Sequence, residues 1–331
     1  MQPLAAILAS VLLAAAAMAD PSPSPAIIDA TCTVFAKTCA YPSYDYCVNV
    51  LSTSDPASAA SAKDEHDLAI IAANATAHNV THAVDLINDL SYELTRCSER
   101  YARDMGDKVA SALGDIVAGR KPGDKLLDAY NIGPSNCTLA VTLRWGYSKD
   151  LLAHENTANA ALVLLARNIA RLVPNSNRTA SPAAIMNSTC SSLRYNMYPG
   201  YDYCVNVLSS DPSAASARTT RDLAIIAVNA TAHNITRTVK LIQGLLSDLT
   251  ECKESYGRMG STVDGALGDL IAGRAPAGAA GKLGDAWNDA LSCDMVMSKR
   301  RGAAKNVLHQ ENWQNFVSAR FASNIAFLED Y

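Results

Sequence analysis

The nine cysteines of this 331-residue chain are the side chains with the clearest capacity for chemistry. Eight of them form two sets whose surrounding residues recur: Cys32, Cys47, Cys97 and Cys137 in the first set, and Cys190, Cys204, Cys252 and Cys293 in the second. None has the close paired spacing of a zinc site. Cysteine-rich chains are typical of an oxidising compartment, so the pattern predicts structural disulfides.

The pairing within each set follows from the repetition and from two prolines. Four cysteines allow three connectivities. Pro42 and Pro199 each interrupt helical sequence between the first two cysteines of a set, which indicates a helical hairpin closed by a disulfide. The predicted bonds are sequential: Cys32–Cys47, Cys97–Cys137, Cys190–Cys204 and Cys252–Cys293. Cys39 has no counterpart, since Asn196 stands at its place, and we predict an unpaired thiol that is buried or capped; an intermolecular disulfide is the alternative.

The histidines and carboxylates do not form a recognisable reactive group. His78 and His82 have the i, i+4 spacing of metal ligands on a helix, but Arg237 replaces His82 in the second copy, so a solvated helix face is the better interpretation. No nucleophile elbow and no glycine-rich phosphate loop occurs. We therefore predict no catalytic, cofactor-binding or metal-binding residue. A secreted helical enzyme is the weakest of three function classes, because no set of residues would carry its reaction.

Several of the cysteines and histidines lie in or beside a segment that occurs twice, at 67–94 and 222–249. DLAIIA and NATAHN recur letter for letter, including positions that a helix would expose. Apolar residues fall at steps of three and four, which predicts one stripe along an amphipathic helix. The stripe is predicted at Ile70, Ala73, Ala77, Val80, Val84, Ile87 and Leu94, with a break at Ser91, and in the second copy at Ile225, Val228, Ala232, Ile235, Val239, Ile242, Leu246 and Leu249. A narrow stripe needs partner helices, so the chain is a duplicated helical module.

Each module is predicted to contain a hairpin and four helices. The long helix is followed by a second helix that ends at a glycine, Gly119 or Gly273, and then by a polar loop. The last helices are expected at 151–173 and 312–328. The predicted domains are 20–174 and 185–331, joined by a linker at 175–184.

The N-terminus and the sequons predict that the protein is secreted. An apolar run ends in Ala17-Met18-Ala19, which is typical of a signal peptide at 1–19 and is short for a membrane span. No later stretch is apolar enough to cross a bilayer. Candidate glycosylation sites are Asn74, Asn79, Asn136, Asn177, Asn187, Asn229 and Asn234. The adjacent pair Asn74 and Asn79 recurs in the second copy as Asn229 and Asn234, and both pairs lie off the predicted core stripe.

Charge separates the two modules. Residues 20–174 carry 13 Lys and Arg against 18 Asp and Glu, a net of −5, whereas 175–331 carry 15 against 14, a net of +1. The candidate partner-contact residues on the outer face of the repeated helix are Asp85, Asp89, Arg237 and Lys240. We hypothesise that the modules face different partners, or that only one of them binds; neutral drift of solvated positions is the alternative. Neither module is basic enough to indicate nucleic-acid binding.

Each module resembles the plant pectin methylesterase inhibitor and invertase inhibitor domain. The resemblance rests on the Cys–Pro–Cys hairpin, the Ala-rich helix beginning Asp-Leu-Ala, and the Cys-x-x-x-Tyr at Cys97/Tyr101 and Cys252/Tyr256. The YDYCVNVL hairpin is similar to the branch that includes pollen allergens described as candidate invertase inhibitors. The resemblance implies an all-α fold of two tandem up-down-up-down four-helix bundles, each with an N-terminal helical hairpin and two sequential disulfides.

The resemblance also implies a protein that is secreted to the plant apoplast and cell wall and inhibits a carbohydrate-acting enzyme by stoichiometric binding over its active-site cleft. Invertase-inhibiting members carry a Pro-Lys-Phe motif in the loop after the third-helix region. Here the loops read GRKPGDK (119–125) and GRAPAGAAGK (273–282), and neither has the motif. Pectin methylesterase is therefore the expected protein partner. The alternatives are cell-wall or vacuolar invertase as the target, and a cell-wall interaction glycoprotein that does not inhibit.

Overall fold

The computed structural model describes residues 26–38, 43–139, 151–173, 181–193, 199–301 and 306–328. These residues are helical apart from short turns and caps, and they include no strand. None of the helices in these ranges has the length and apolarity needed to cross a membrane. The predicted all-α fold is confirmed.

Twelve α-helices follow one another in the described ranges, with two π-helical turns at Arg100–Met105 and Asn131–Ser135 and a 3-10 turn at Pro212–Ser216. In chain order the α-helices are α1 (Ala26–Thr38), α2 (Tyr44–Thr53), α3 (Pro56–Ser61), α4 (Glu65–Glu99), α5 (Gly106–Val117), α6 (Lys125–Tyr130), α7 (Ala153–Leu172), α8 (Pro182–Ser192), α9 (Tyr201–Ser209), α10 (Thr220–Ile271), α11 (Pro276–Arg301) and α12 (His309–Leu328).

Each repeat opens with a disulfide-closed hairpin, α1–α2 in the first repeat and α8–α9 in the second. Cys32 is bonded to Cys47, and Cys190 to Cys204. A third bond joins Cys97 to Cys137, so these three pairs match the pairs predicted from the sequence. Cys252 and Cys293 are disulfide-bonded as well. Cys39 lies outside the described residues.

The long helix and the helix after it are continuous, which corrects the prediction of two separate helices. Residues 65–117 are helical throughout, and so is α10 from Thr220 to Ile271. The junctions read LTRCSE and LTECKE, with neither proline nor glycine to end a helix. Without a stop signal, helical hydrogen bonding propagates through the cysteine into the next segment.

The buried stripe lies beside the one predicted from apolar residues. Ala73, Val80, Ile87 and Leu94 are buried as predicted, but Ala77 and Val84 are only half-buried, and Thr76, Ala83 and Leu90 take the central places. The second copy shows the same shift, with Thr231 and Thr238 buried. Each of Thr76 and Thr231 donates its hydroxyl hydrogen to a carbonyl four residues earlier, at 2.9 Å, so it is buried at little cost. The predicted break at Ser91 is therefore absent, because Leu90 continues the stripe.

The tyrosine of each Cys-x-x-x-Tyr motif anchors the last helix of its own repeat. Tyr101 donates to Asn156 Oδ1 at 2.7 Å, and Tyr256 donates to Asn312 Oδ1 at 2.9 Å. Both phenols are fully buried, and burial raises the pKa of Tyr256, so its hydroxyl stays protonated and donates. The second part of each long helix is thereby held to α7 or α12 of the same repeat.

The described chain forms two compact units, and their limits do not follow the two repeats. Unit 1 contains residues up to Val84, then Glu254–Met295 and Leu308–Tyr331, whereas unit 2 contains Asp85–Lys253 and Val296–Val307. Each unit therefore combines the hairpin and first helical part of one repeat with the later helices of the other. The domain boundaries predicted from the repeats, 20–174 and 185–331, differ from these limits because both long helices continue where a chain reversal was expected.

Candidate partner-binding surface

Each long helix ends in the same glycine-capped turn, and this turn begins the loop that the sequence indicates as a contact region. Gly119 has φ +74° and Gly273 has φ +62°, a conformation that glycine adopts without strain. The amide of Gly119 donates to the Ile116 carbonyl at 3.0 Å, and the Arg120 amide donates to the Asp115 carbonyl at 2.7 Å. This double hydrogen bond is a Schellman cap, and Gly273 forms its equivalent. The direction in which each loop leaves its helix is thus fixed.

One carboxylate ties both ends of the first loop. Arg120 donates to Asp115 Oδ1 through Nε at 3.1 Å and through Nη2 at 2.9 Å, while Lys125 pairs with Oδ2. The Asp115 side chain is 13% exposed. The hydrogen bonds from Lys125 and then from Arg120 hold the pKa of Asp115 below its usual value, so the carboxylate stays charged in mildly acidic solution.

The second repeat builds the same arrangement, but most of the expected loop 273–282 is helical: residues from Pro276 onward belong to α11, so Lys282 donates from that helix. Arg274 donates to Asp269 Oδ1 at 2.6 Å, and Lys282 donates to Oδ2 at 2.6 Å. The hydrogen bond from Lys282 is the main cause that lowers the pKa of Asp269. The two loops differ in length but are closed in the same way, so each presents a fixed backbone to solvent.

An exposed apolar side chain precedes each loop. Val117 is 58% exposed and Ile271 is 67% exposed, and the two residues occupy equivalent positions in the repeats. Residues 118–121 and 272–275 beside them are also exposed. Each turn thus combines one exposed apolar side chain with fixed charged groups on the same solvent-facing surface. Unit 2 carries the surface around Val117, and unit 1 carries the one around Ile271.

The four charged contact candidates lie in a single unit. Asp85, Arg237 and Lys240 are exposed and Asp89 is half-buried, and all four belong to unit 2. The acidic pair from the first repeat and the basic pair from the second therefore share one unit. The sequence had placed these pairs on two different modules.

The sequons differ in accessibility. Asn74, Asn136, Asn187 and Asn229 are exposed, and Asn79 is half-buried. Asn234 is only 7% exposed and its Nδ2, the atom to which a glycan would be attached, is buried. The prediction that both recurring pairs lie off the core is therefore wrong for Asn234, because the buried stripe is displaced toward it. Asn177 lies outside the described residues.

A stacked aromatic group in unit 1 was missed by the sequence reasoning. The Phe316 ring stacks on Trp287 with centroids 5.1 Å apart and on Trp313 with centroids 5.2 Å apart. The Arg320 guanidinium lies 4.9 Å from the centroid of the Trp287 ring. The sequence could have indicated part of this group, because Trp313 and Phe316 stand at i and i+3 on α12. Trp287 lies on α11, and only the fold shows that it joins them. The first repeat has Thr157 and Ala160 at the places of Trp313 and Phe316, so the group is specific to the second repeat.

No group of three or more potential metal-ligating side chains occurs in the part of the chain that the structure describes. His78 is exposed and lines an open groove with Asn74 and Asn79, and His82 is also exposed. These side chains are available to solvent, and nothing in their arrangement indicates a reaction.

Comparison with known proteins gives one match. The family model described as "Plant invertase/pectin methylesterase inhibitor" matches residues 27–128 and 184–325, which are the two repeats. Searches of curated proteins and of solved structures found no match.

Proposed function

Because the chain belongs to the plant invertase/pectin methylesterase inhibitor family, we propose that it inhibits pectin methylesterase by stoichiometric binding over the active-site cleft of that enzyme. Members of this family are inhibitors of these two enzyme classes and not catalysts. The observation that carries the choice of target is the loop sequence. Both loops, 119–125 and 273–282, lack the Pro-Lys-Phe motif implied for invertase inhibition.

The geometry of the loops supports a role in binding a folded partner. Each loop is fixed before binding by its glycine cap and by its Asp–Arg–Lys cluster, so little conformational entropy is lost when a partner covers it. The exposed Val117 and Ile271 offer apolar contact area beside fixed charges. We propose that these two surfaces contact the target enzyme.

Secretion to the apoplast is part of the same proposal. The disulfides need an oxidising compartment, and family members are extracellular in general. Asn74, Asn136, Asn187 and Asn229 are the sequons whose exposure permits glycosylation.

The test is an inhibition titration of the oxidised full chain against plant pectin methylesterase and plant acid invertase, in mildly acidic buffer. Inhibition of pectin methylesterase alone, with an end point near one or two enzymes per chain, is the expected result. Inhibition of invertase alone would show that invertase, and not pectin methylesterase, is the target. If a folded, helical protein inhibits neither enzyme, the inhibitor proposal is wrong and a non-inhibitory cell-wall glycoprotein is the better interpretation.

Two matched variants test the proposed surfaces. Val117→Asp and Ile271→Asp each place a charge at an exposed position, so the fold should tolerate them. At a working surface we expect the inhibition constant to rise at least about fivefold. If both surfaces work, each single variant weakens one of two binding events, so the titration should show one unchanged and one weaker phase. Glu99→Ala is the control, because Glu99 is exposed and lies 18 residues before Val117 on the same continuous helix, about 27 Å away. Unchanged inhibition in both loop variants and in their combination would exclude these loops as contacts.

A further inference from the structure

Three contacts inside unit 1 join the first repeat to the second. The Phe321 ring of α12 packs edge-on against Phe35 and Tyr46 of the first hairpin, with centroids 5.3 and 5.8 Å apart. Deeper in the unit, the hydroxyls of Thr76 and Ser318 are hydrogen-bonded at 2.9 Å, and both side chains are buried. The core of this unit is therefore built from both repeats.

Unit 2 shows the reciprocal arrangement. Asn159 of α7, in the first repeat, donates from Nδ2 to Thr238 Oγ1 of α10, in the second repeat, at 2.8 Å. Both side chains are fully buried. Asn315 occupies the place of Asn159 in the second repeat and donates to the Asn79 carbonyl of the first repeat, within unit 1. Equivalent asparagines thus reach across to the opposite repeat in both units.

Helix length explains why the repeats exchange their parts. To pack its own two helical parts side by side, a repeat would need a chain reversal between them. The helical run 65–117 contains no such reversal, and neither does α10. The early and late parts of each repeat therefore cannot cover each other's apolar stripes.

We infer that neither repeat is a complete bundle, and that each half-bundle takes the complementary half of the other repeat as its binding partner. The disulfides Cys32–Cys47, Cys97–Cys137 and Cys190–Cys204 each join residues of the same repeat. These bonds therefore do not hold the two repeats together, and in the described structure the covalent connection between the repeats is the linker. The inference concerns assembly of the chain and stands whether or not the chain inhibits an enzyme.

Cleavage of the linker tests the inference on the full chain. Residues 175–180 are replaced by a site for a specific protease, the oxidised protein is cut, and its native mass is measured by light scattering after size exclusion. Denaturing electrophoresis without reductant must show two separate pieces, which excludes a disulfide between them. We expect one native species with the mass of the uncut chain. Two species of about half that mass would overturn the inference.

An insertion variant tests the cause. A loop of about eight Gly and Ser residues is placed after Leu94 and another after Leu249, which is long enough to reverse the chain. Each repeat can then close on itself, so the cut protein should separate into two species of about half mass. If it keeps the mass of the uncut chain, helix continuity is not what imposes the exchange, and that part of the inference is wrong.

Engineered cysteines identify which residues meet. Thr76→Cys with Ser318→Cys, in a Cys39→Ser background, should form a disulfide that joins the two pieces after the linker is cut. The matched control is Thr231→Cys with Ser318→Cys, since Thr231 is the counterpart of Thr76 and would face Ser318 if the second repeat closed on itself. Bonding in the first pair only is the expected result. Bonding in the control pair only would overturn the exchange.

Discussion

At the residue scale, Gly133 is a position where a single methyl group should matter. It is buried within the second π-helical turn, and a Cβ there would lie 2.5 Å from the Sδ of the fully buried Met105. We expect Gly133→Ala to destabilise the protein by about 1 to 3 kcal/mol, because the buried Met105 side chain must shift to make room for the added methyl group. Urea unfolding followed by circular dichroism measures the change.

Gly114→Ala is the matched control for that substitution. Gly114 is an exposed helical residue of α5 with nothing within 4 Å of an added Cβ. Alanine is the better helix former, so this variant should gain about 0.5 to 1 kcal/mol. If both glycine variants change stability in the same direction, contact with Met105 is not the deciding factor at Gly133.

The aspartates that close the two loops should make stability depend on pH. Their pKa values are lower in the folded than in the unfolded chain, so they stabilise the fold above the ordinary aspartate value of 3.8. This contribution is lost as the pH falls through the lower, folded values. We therefore expect Asp115→Asn with Asp269→Asn to be less stable than the parent near pH 5 and to approach it near pH 2. A difference that stays constant over this range would show that the carboxylate charges do not stabilise the loops.

Two residues show what the sequence could not predict at this scale. Periodicity located the amphipathic helices correctly, because most buried positions are apolar. It misplaced the centre of the stripe, since Thr76 and Thr231 count as polar although an intrahelical hydrogen bond satisfies each hydroxyl. Asn234 was also expected on the solvated face because it counts as polar, although its Nδ2 is buried. A side chain that satisfies its own polar group locally is not recognised by hydrophobic periodicity.

At the element scale, each π-helical turn lies where the first repeat has one residue more than the second. Tyr101 and Val109 are eight residues apart, against seven for Tyr256 and Val263, and the turn Arg100–Met105 lies there. Asp128 to Cys137 is also one residue longer than Asp285 to Cys293, and Asn131–Ser135 is the second π-helical turn. A π-helical turn accommodates one extra residue in a helix. Both insertions are thus absorbed while the flanking core residues keep their faces.

Deletion of Asp104 should restore the spacing of the second repeat. The π-helical turn would become regular α-helix, with Met105 and Val109 still on the buried face, so we expect stability to be equal to or above that of the parent. The Arg103–Asp104 ion pair lost with it is exposed and contributes little. Thermal unfolding followed by circular dichroism measures the stability of this variant against that of the parent.

Deletion of Ser111 is the control, because Ser111 lies in regular α5 at an exposed position. It would rotate either Val109 or Ile116 out of the core, which should cost at least about 2 kcal/mol. If the two deletions changed stability equally, the π-helical turn Arg100–Met105 would not be the place where one extra residue is accommodated.

Helices were predictable from this sequence, whereas the way in which they pair was not. The repeats DLAIIA and NATAHN, the cysteine spacing and the capping glycines each report a local preference. The pairing of α12 with α4 depends on the absence of a turn between Leu94 and Cys97. An absent turn leaves no signal of its own, and the two repeats offer nearly identical apolar stripes. Sequence alone therefore cannot distinguish closure within a repeat from exchange between repeats.

At the scale of the whole molecule, the exchange regroups charge. The two repeats differ modestly, at −5 and +1, but unit 1 has 6 Lys and Arg against 16 Asp and Glu, a net of −10. Unit 2 has 22 against 16, a net of +6. The surface around Ile271 thus belongs to an acidic unit and that around Val117 to a basic one. Because electrostatic steering depends on nearby charge, we expect a charged target to associate with the two surfaces at different rates even if their local contacts are alike.

A core substitution in one repeat should loosen the hairpin of the other. Phe321 lies in the second repeat but packs on the first hairpin in unit 1, and Phe→Ala in a core typically costs about 3 to 5 kcal/mol. In Phe321→Ala, hydrogen exchange should become faster in α2 of the first repeat, while α9 of the second repeat stays protected. Phe327→Ala, on the same helix but 48% exposed, is the control and should leave both hairpins protected. Loss of protection in α9 with α2 unchanged would mean that each repeat folds with its own hairpin, and that the exchange is wrong.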